Sequence, residues 1–390
     1  MKTVTLSAAY IPLVDAAPLI VAQEMGFAEA EGLTLDLIRA PSWSSVRDML
    51  AFGRVDAAHL LSPVPVAMAL GLGGVTTRLA AVSVLSVNGD VICVSTALAD
   101  KLRDAGFAFD FADATAAGEA LSRVVTDTLR IGVPFPFSMQ VELLMYWLTA
   151  LGMPRSRLDV RTIPPPLMAQ ALAAGEIDAF CVGEPWGSIA VEQGFGALLL
   201  PGSAIWAFSP EKVLAVREDW AETEPHLTDR LIRAVWQAGR WLNQPDSRIT
   251  ASEILSRRHY LDVPAEVIDR SFEGRLVISA RGEQRTVPQF QVFHDGLATF
   301  PWRSQAAWIA RQLALRAGLN PQSAMHAGRG VYRSDLYRRA VRSLGADLPT
   351  ASEKLEGAIA VPVTQAAVEG SVHLMKDLFF DGRIFDPGQP

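Results

Sequence analysis

Six short loops carry the residues of this chain best suited to hold a small polar molecule. They are SerTrpSer (42–44), SerValAsnGlyAsp (86–90), PheProPheSerMetGln (135–140), IleProProPro (163–166), ValGlyGluProTrp (182–186) and ProGluLys (210–212). Lys212 supplies a full positive charge. Helices predicted to start at Ser44 and Ser138 would add free backbone N–H groups and the positive end of a helix dipole, an arrangement suited to an anion. Trp43 could exclude water and so strengthen those bonds. Each residue also has a plain structural explanation. Ser138 serves as a helix cap, Trp43 and Trp186 as packing, and the proline run as a stiff connector. Their shared position, after predicted strands and before predicted helices, points to one binding cleft for an oxyanion.

Signs of catalysis are few. The chain has no P-loop, no HisGluXXHis pair, no CysXXCys pair and no GlyXSerXGly elbow. The six histidines have no ligand spacing, and His59 in its apolar strand reads as a core histidine. Cys93 and Cys181 sit in apolar runs and read as buried thiols. The expectation is a binding protein with no catalytic residues, no metal and no cofactor.

The elements that would position these loops form a repeat. Residues 46–63 and 168–185 align in one register, matching Gly53 with Gly175, Asp56 with Asp178, Ala57 with Ala179 and Pro63 with Pro185. In each copy a helix ends at a glycine suited to the left-handed position. A short buried strand follows, then a proline loop opening another helix. Upstream, 3–9 and 33–38 read as strands around a helix at 18–30. In the second copy 128–133 and 157–163 flank a helix from Ser138 to about Leu151, whose Leu144, Trp147, Leu148 and Leu151 share a core face. Two strand–helix–strand–helix–strand units predict two parallel-sheet α/β lobes with a crevice at the strands' carboxyl ends. Beyond about residue 220 helices are expected at 226–242, 250–260, 302–316 and 334–342. The run 96–127 shows one helix, near 114–126.

Composition agrees with two lobes. The chain has 390 residues, half of them apolar and 20% charged. A net charge of −7 gives no basic footprint for nucleic acid, and no apolar run is long enough for a membrane helix. Met1–Thr5 runs straight into a strand-like segment broken by Pro12 and Asp15, unlike a secretory leader, so a cytoplasmic location is expected.

Segments 10–27, 40–61, 181–187, 206–216, 332–338 and 379–387 resemble the nitrate- and bicarbonate-binding (NrtA/CmpA-type) proteins of bacterial ABC importers. The likeness is greatest to their leaderless cytoplasmic branch, the NasS-type nitrate/nitrite sensors. The resemblance implies a type II periplasmic-binding-protein fold. Lobe 1 would be built from 1–90 plus 204–390 and lobe 2 from 91–203, joined by two hinge strands near 88–94 and 198–206. It also implies a ligand held by Trp43, Gly183 and Lys212, with Asp90, Gln140, Pro165 and Val182 lining the site. The lysine favours nitrate or nitrite over bicarbonate. The implied partner is an RNA-binding antiterminator (NasT-like) released when ligand binds. The alternatives are an exported importer subunit and a binder of a different small ligand. The latter arises from two departures: Gln140 replaces the family's usual histidine, and Asp90 its usual glutamine or asparagine. An ionised Asp90 only accepts hydrogen bonds and repels an anion nearby. An enzyme on the same fold would need a reactive His or Cys in the cleft.

Overall fold

The computed structural model describes residues 3–389. Its strands form two principal sheets, each with its own layer of helices. The first contains β1 (Val4–Tyr10), β2 (Leu33–Arg39), β3 (Ala57–Leu61) and β4 (Leu79–Asn88). The second contains β5 (Asp90–Ser95), β6 (Leu129–Val133), β7 (Leu158–Thr162), β8 (Ala179–Gly183) and β9 (Gly196–Pro201). β10 (Pro210–Arg217) returns to the first sheet between β4 and β3, and the short Gln291–Val292 strand closes its edge.

The repeat is real in three dimensions. The first sheet runs β2-β1-β3 and the second β7-β6-β8, in both cases parallel with the unit's first strand in the middle. Gly53 and Gly175 adopt φ of +69° and +66°, the left-handed conformation that ends their helices. The paired aspartates do the same work in both units. The Asp56 carboxylate accepts the Ser7 backbone N–H at 2.8 Å, and Asp178 accepts that of Arg130 at 3.0 Å. Each thereby ties the third strand of its unit to the first. Asp56→Ala and Asp178→Ala are each expected to lower unfolding stability by about 1–3 kcal/mol in denaturant titrations, as loss of a hydrogen bond to a charged group does. Asp178→Ala should cost more, because Asp178 also pairs with the Arg130 guanidinium at 2.6 Å.

Neither sheet is wholly parallel, contrary to the expectation from sequence. Each takes an antiparallel strand beside its repeat: β10 next to β3, and β5 next to β8. The cause is that the chain crosses twice. β4 passes into β5 through Asn88 and Gly89, both at positive φ (60° and 96°). β9 passes back towards β10. Asn88 binds these crossings together: its Nδ2 donates to the Ala207 carbonyl at 2.9 Å and its Oδ1 accepts from Ser209 N at 3.0 Å.

Other boundaries shift for local reasons. The helix expected at 18–30 breaks into Ala17–Glu24 and Phe27–Ala30 where Gly26 turns left-handed. A helix at Thr96–Asp104, capped by Ser95, lay unrecognised in 96–127, beside the expected one at Ala114–Val124. Leu144, Trp147 and Leu148 are buried, while Leu151 is half-buried against the same core. The C-terminal third supplies helices Pro225–Leu242, Ser247–Ser256, Ala265–Glu273, Arg303–Ala317, Pro321–Arg329 and Ser334–Val341. Among the described residues no helix is long and apolar enough to cross a membrane.

Candidate ligand site between the lobes

The carboxyl ends of both repeats meet at one point. A turn at Val14–Ala16, just after β1, buries Asp15. β3 supplies His59, and β10 lies antiparallel to it with Leu214 opposite His59 and Lys212 opposite Leu61. Asp15 therefore reaches two partners: His59 Nε2 at 2.8 Å through one oxygen and Lys212 Nζ at 2.6 Å through the other. Lys212 Nζ also donates to Glu211 Oε1 at 2.6 Å. From the other lobe, Gln140 Nε2 donates to that same Glu211 oxygen. Trp43 covers the group, its ring centre 5.5 Å from Lys212 Nζ and 5.4 Å from the His59 ring.

The second sheet contributes Asp90, the first residue of β5, paired with Gly183 of β8. Asp90 accepts a long hydrogen bond from Cys181 Sγ at 3.5 Å. A Cβ on Gly202 would fall 2.2 Å from Asp90 Oδ1, so the carboxylate occupies space that only glycine leaves open. Gly183 sits equally close to the opposite lobe, since a Cβ there would lie 3.3 Å from Asp15 Oδ2. The lobes are shut on each other. Val14 N–H donates to the Glu184 carbonyl at 2.8 Å, and Trp186 Nε1 to that of Pro12 at 2.9 Å.

Trp43, Asp90, Gln140, Gly183 and Lys212 thus converge. Val182 is buried opposite Val91 in β8, and Pro165 opens a short 3-10 turn after the edge strand β7. None of the polar contacts just described involves either residue. The helix-cap expectation holds at Ser138, whose hydroxyl accepts from Val141 N at 3.3 Å. It fails at Ser44: the cap is Ser42, which accepts from Ser45 N at 3.2 Å, and the helix is Trp43–Ala51.

Asp15, Glu211 and His59 are the members that sequence reasoning missed. Glu211 stood in the ProGluLys loop beside the chosen lysine. Asp15 stood in the same loop as Pro12, where it served only to interrupt an apolar run. His59 read as core; it is buried, and its Asp15 bond makes it part of this network.

The electrostatics follow from burial. Burial works against the Lys212 charge, but Asp15 and Glu211 outweigh it and hold the ammonium above its ordinary range. Burial pushes the Asp15 carboxyl up, yet Lys212 and His59 together bring it below the usual carboxylate range. Glu211 is pushed up to about 8 by burial, only partly relieved by Lys212, with Asp90 adding to the rise. Burial lifts Asp90 to about 6 against the pull of Lys212. His59 is held below its normal value by burial, so it is neutral near pH 7. Burial also keeps the Cys181 thiol protonated. Such a centre is suited to hold a polar ligand by charge and hydrogen bonds, and its thiol is in the protonated, unreactive form.

Residues 1–256 match the NMT1-like family. The nitrate import ATP-binding protein NrtC of Synechocystis sp. PCC 6803 is 32% identical across the whole chain, which spans 54% of that relative, about half its length. The nitrate/nitrite binding protein NrtA of the same organism is 30% identical, again across the whole chain and 84% of the relative. The crystal structure of periplasmic nitrate-binding NrtA from Synechocystis PCC 6803 superposes with a TM-score of 0.84. It is 28% identical, covering 99% of this chain and 96% of that one. With the two-lobed periplasmic-binding-protein fold and a polar centre closed between the lobes, the chain belongs to the NMT1-like family as a binding protein of the NrtA type, not an enzyme.

Proposed function

We propose that this chain binds one small polar ligand, of about the size of nitrate, at the Lys212 centre and that the lobes close on it. We take the lobes as residues 1–90 with 204–390, and 91–203. The observation that carries the reading is the convergence of Lys212, Glu211, Asp15 and Trp43 from one lobe with Gln140 and Gly183 from the other, and with Asp90 at the crossing between them. A ligand that touches both lobes binds the closed arrangement better than the open one, which is the only way it can drive closure. Nitrate and nitrite are the first candidates, supported by the relatives and by Lys212. The buried carboxylates favour a different ligand chemistry, developed below.

The test is calorimetry with nitrate, nitrite, bicarbonate and small planar nitrogen compounds, repeated on Trp43→Ala and Gln140→Leu. The expected result is one site per chain, weakened at least ~10-fold in both variants, or about 1.4 kcal/mol. A ligand bound with unchanged affinity by both variants would remove the interlobe centre from the reading.

Two uses of closure are open to this fold: delivery to a membrane importer and release of a regulatory partner. We propose the second, a cytoplasmic sensor whose open form holds an RNA-binding antiterminator. Pull-downs with and without ligand test it: a partner retained by the empty protein and released by ligand is expected, and co-purification with membrane transporter subunits instead would favour delivery.

A further inference from the structure

The charge at the centre has the wrong sign for a simple oxyanion. Lys212 is its sole cation near pH 7, and it is in contact with two carboxylates, Asp15 and Glu211. Asp90 adds a third within range of Lys212 and Glu211. All four side chains are at most 1% exposed. One ammonium against three carboxylates leaves the centre negative unless protons are bound. Nitrate brings three further acceptor oxygens and no donor.

The unmet hydrogen-bonding capacity points the same way. Among the described residues, Asp90 Oδ1, Gln140 Oε1 and Glu211 Oε2 are buried acceptors without a hydrogen-bond partner. Unpartnered buried groups able to donate include Trp43 Nε1 and the hydroxyls of Ser86, Ser209 and Tyr332, and the hydroxyls can also accept. Buried acceptors without partners are costly, so a ligand that supplies N–H groups gains what one that supplies oxygens forfeits. A metal ion fits poorly, because Lys212 Nζ lies between Asp15 and Glu211 and no three acidic, His or Cys side chains among the described residues sit together as ligands.

We propose that this site takes a small planar cation rich in N–H donors, of the guanidinium or amidinium class, rather than an oxyanion. Guanidinium has the trigonal planar shape of nitrate with the hydrogen-bonding pattern and charge reversed. The inference rests on the reading that a ligand binds between the lobes and adds its class. The cation would lie on the side of Glu211, Asp90 and Gln140, leaving Lys212 neutralised by Asp15. Its charge replaces the proton that burial keeps on Glu211, so binding releases a proton. The other groups facing Glu211 and Asp90 are Asp15 from the turn after β1, His59 from β3, Cys181 from β8, and Tyr332, which lies within range of Glu211. Of these, burial holds His59 towards its neutral form and keeps Cys181 and Tyr332 protonated, while, against burial, Lys212 and His59 hold Asp15 ionised.

The experiment uses three isosteric probes on the whole protein: guanidinium chloride, urea and sodium nitrate, carrying +1, 0 and −1. Each is titrated at low millimolar concentration by calorimetry at pH 6, 7 and 8, in buffers of differing ionisation enthalpy. Guanidinium is expected to bind tightest, with affinity rising by up to ~10-fold per pH unit as one proton is released. Asp90→Gln is expected to weaken guanidinium at least ~10-fold and to strengthen nitrate. Nitrate binding tighter than guanidinium, or guanidinium affinity that falls with pH, overturns the proposal but leaves the interlobe site standing. If none of the three binds the folded wild-type protein, both the proposal and the site reading fall. The wild-type series decides the matter even if the variant does not fold.

Discussion

Lys212→Met is expected to destabilise the protein by about 3–5 kcal/mol near pH 8, the cost of removing one partner from a buried ion pair. Three features make the effect large. Lys212 is fully buried, so water cannot take over from it. Its Nζ lies 2.6 Å from both Asp15 and Glu211, so one substitution strands two carboxylates. Asp90 is within range as a third. Methionine preserves the length and most of the packing, which isolates the charge. The sign with pH is fixed as well. Because the folded-state pKa of Lys212 is raised, its contribution is fully present below the unfolded-state value near 10.4 and does not titrate at working pH. The stranded carboxylates do titrate, and protonation relieves them. The loss should therefore shrink towards pH 5. Urea unfolding of both proteins at pH 5 and pH 8 measures this. A difference below about 1 kcal/mol at pH 8 would mean that Lys212 is not the counter-charge that the closed lobes place it to be.

The fold was legible wherever the signal was local. Gly53 and Gly175 mark helix ends because the left-handed turn requires them, and Asp56 and Asp178 recur because each lies in its own loop beside the strand it binds. The antiparallel strands were not legible. β5 and β10 look like any other buried strand, and their direction is set by where the chain comes from on crossing between sheets. The helix at Thr96–Asp104 hid among charged residues, where only three of its side chains are buried. At the candidate site, loop chemistry pointed to Trp43 and Lys212, and the family resemblance to Gln140 and Asp90. The missed ones, Asp15, His59 and Glu211, acquire their roles through partners distant in sequence. Asp15 meets Lys212 only after β1 and β10 have both joined β3. Three arginines of the C-terminal helices are engaged within the chain. Arg316 pairs with Glu142, Arg338 binds the Ala351 carbonyl at 2.6 Å and Arg339 pairs with Asp229.

Stability should also fall as pH rises from 5.5 to 8.5, in a protein whose acidic composition alone gives no reason for it. Three buried carboxyls hold protons in the folded state that the unfolded chain releases near pH 4: Glu211 at about 8, Glu184 at about 7 and Asp90 at about 6. In each case burial is the largest cause. A raised folded pKa means the native state binds the extra protons, so the slope of unfolding free energy against pH is negative across this window. The stabilisation is complete below the unfolded values and lost on rising through 6 to 8. Asp15 has the opposite sign: its depressed pKa protects the fold above pH 4 and is lost only in acid. His294, held at about 4 by burial, and the buried His59 add a loss of stability as pH falls through the unfolded histidine value near 6.5, so the optimum lies where these opposing trends cross. Glu211→Gln keeps the shape and the Gln140 neighbour but removes one titration. It should therefore raise the melting temperature at pH 8.5 and change it little at pH 5.5. Glu184, whose backbone carbonyl receives Val14 N–H and whose carboxylate receives Ser188 N–H, lies outside the Lys212 contacts, so Glu184→Gln should add to Glu211→Gln rather than duplicate it. A melting temperature flat from pH 5.5 to 8.5 would show that these carboxyls reach water. Opening of the lobes would achieve that, since the Glu211 partner Gln140 belongs to the opposite lobe. The same measurement made with bound ligand then reports closure: a ligand that shuts the lobes and takes the place of the proton should abolish the Glu211 part of the slope and leave that of Glu184.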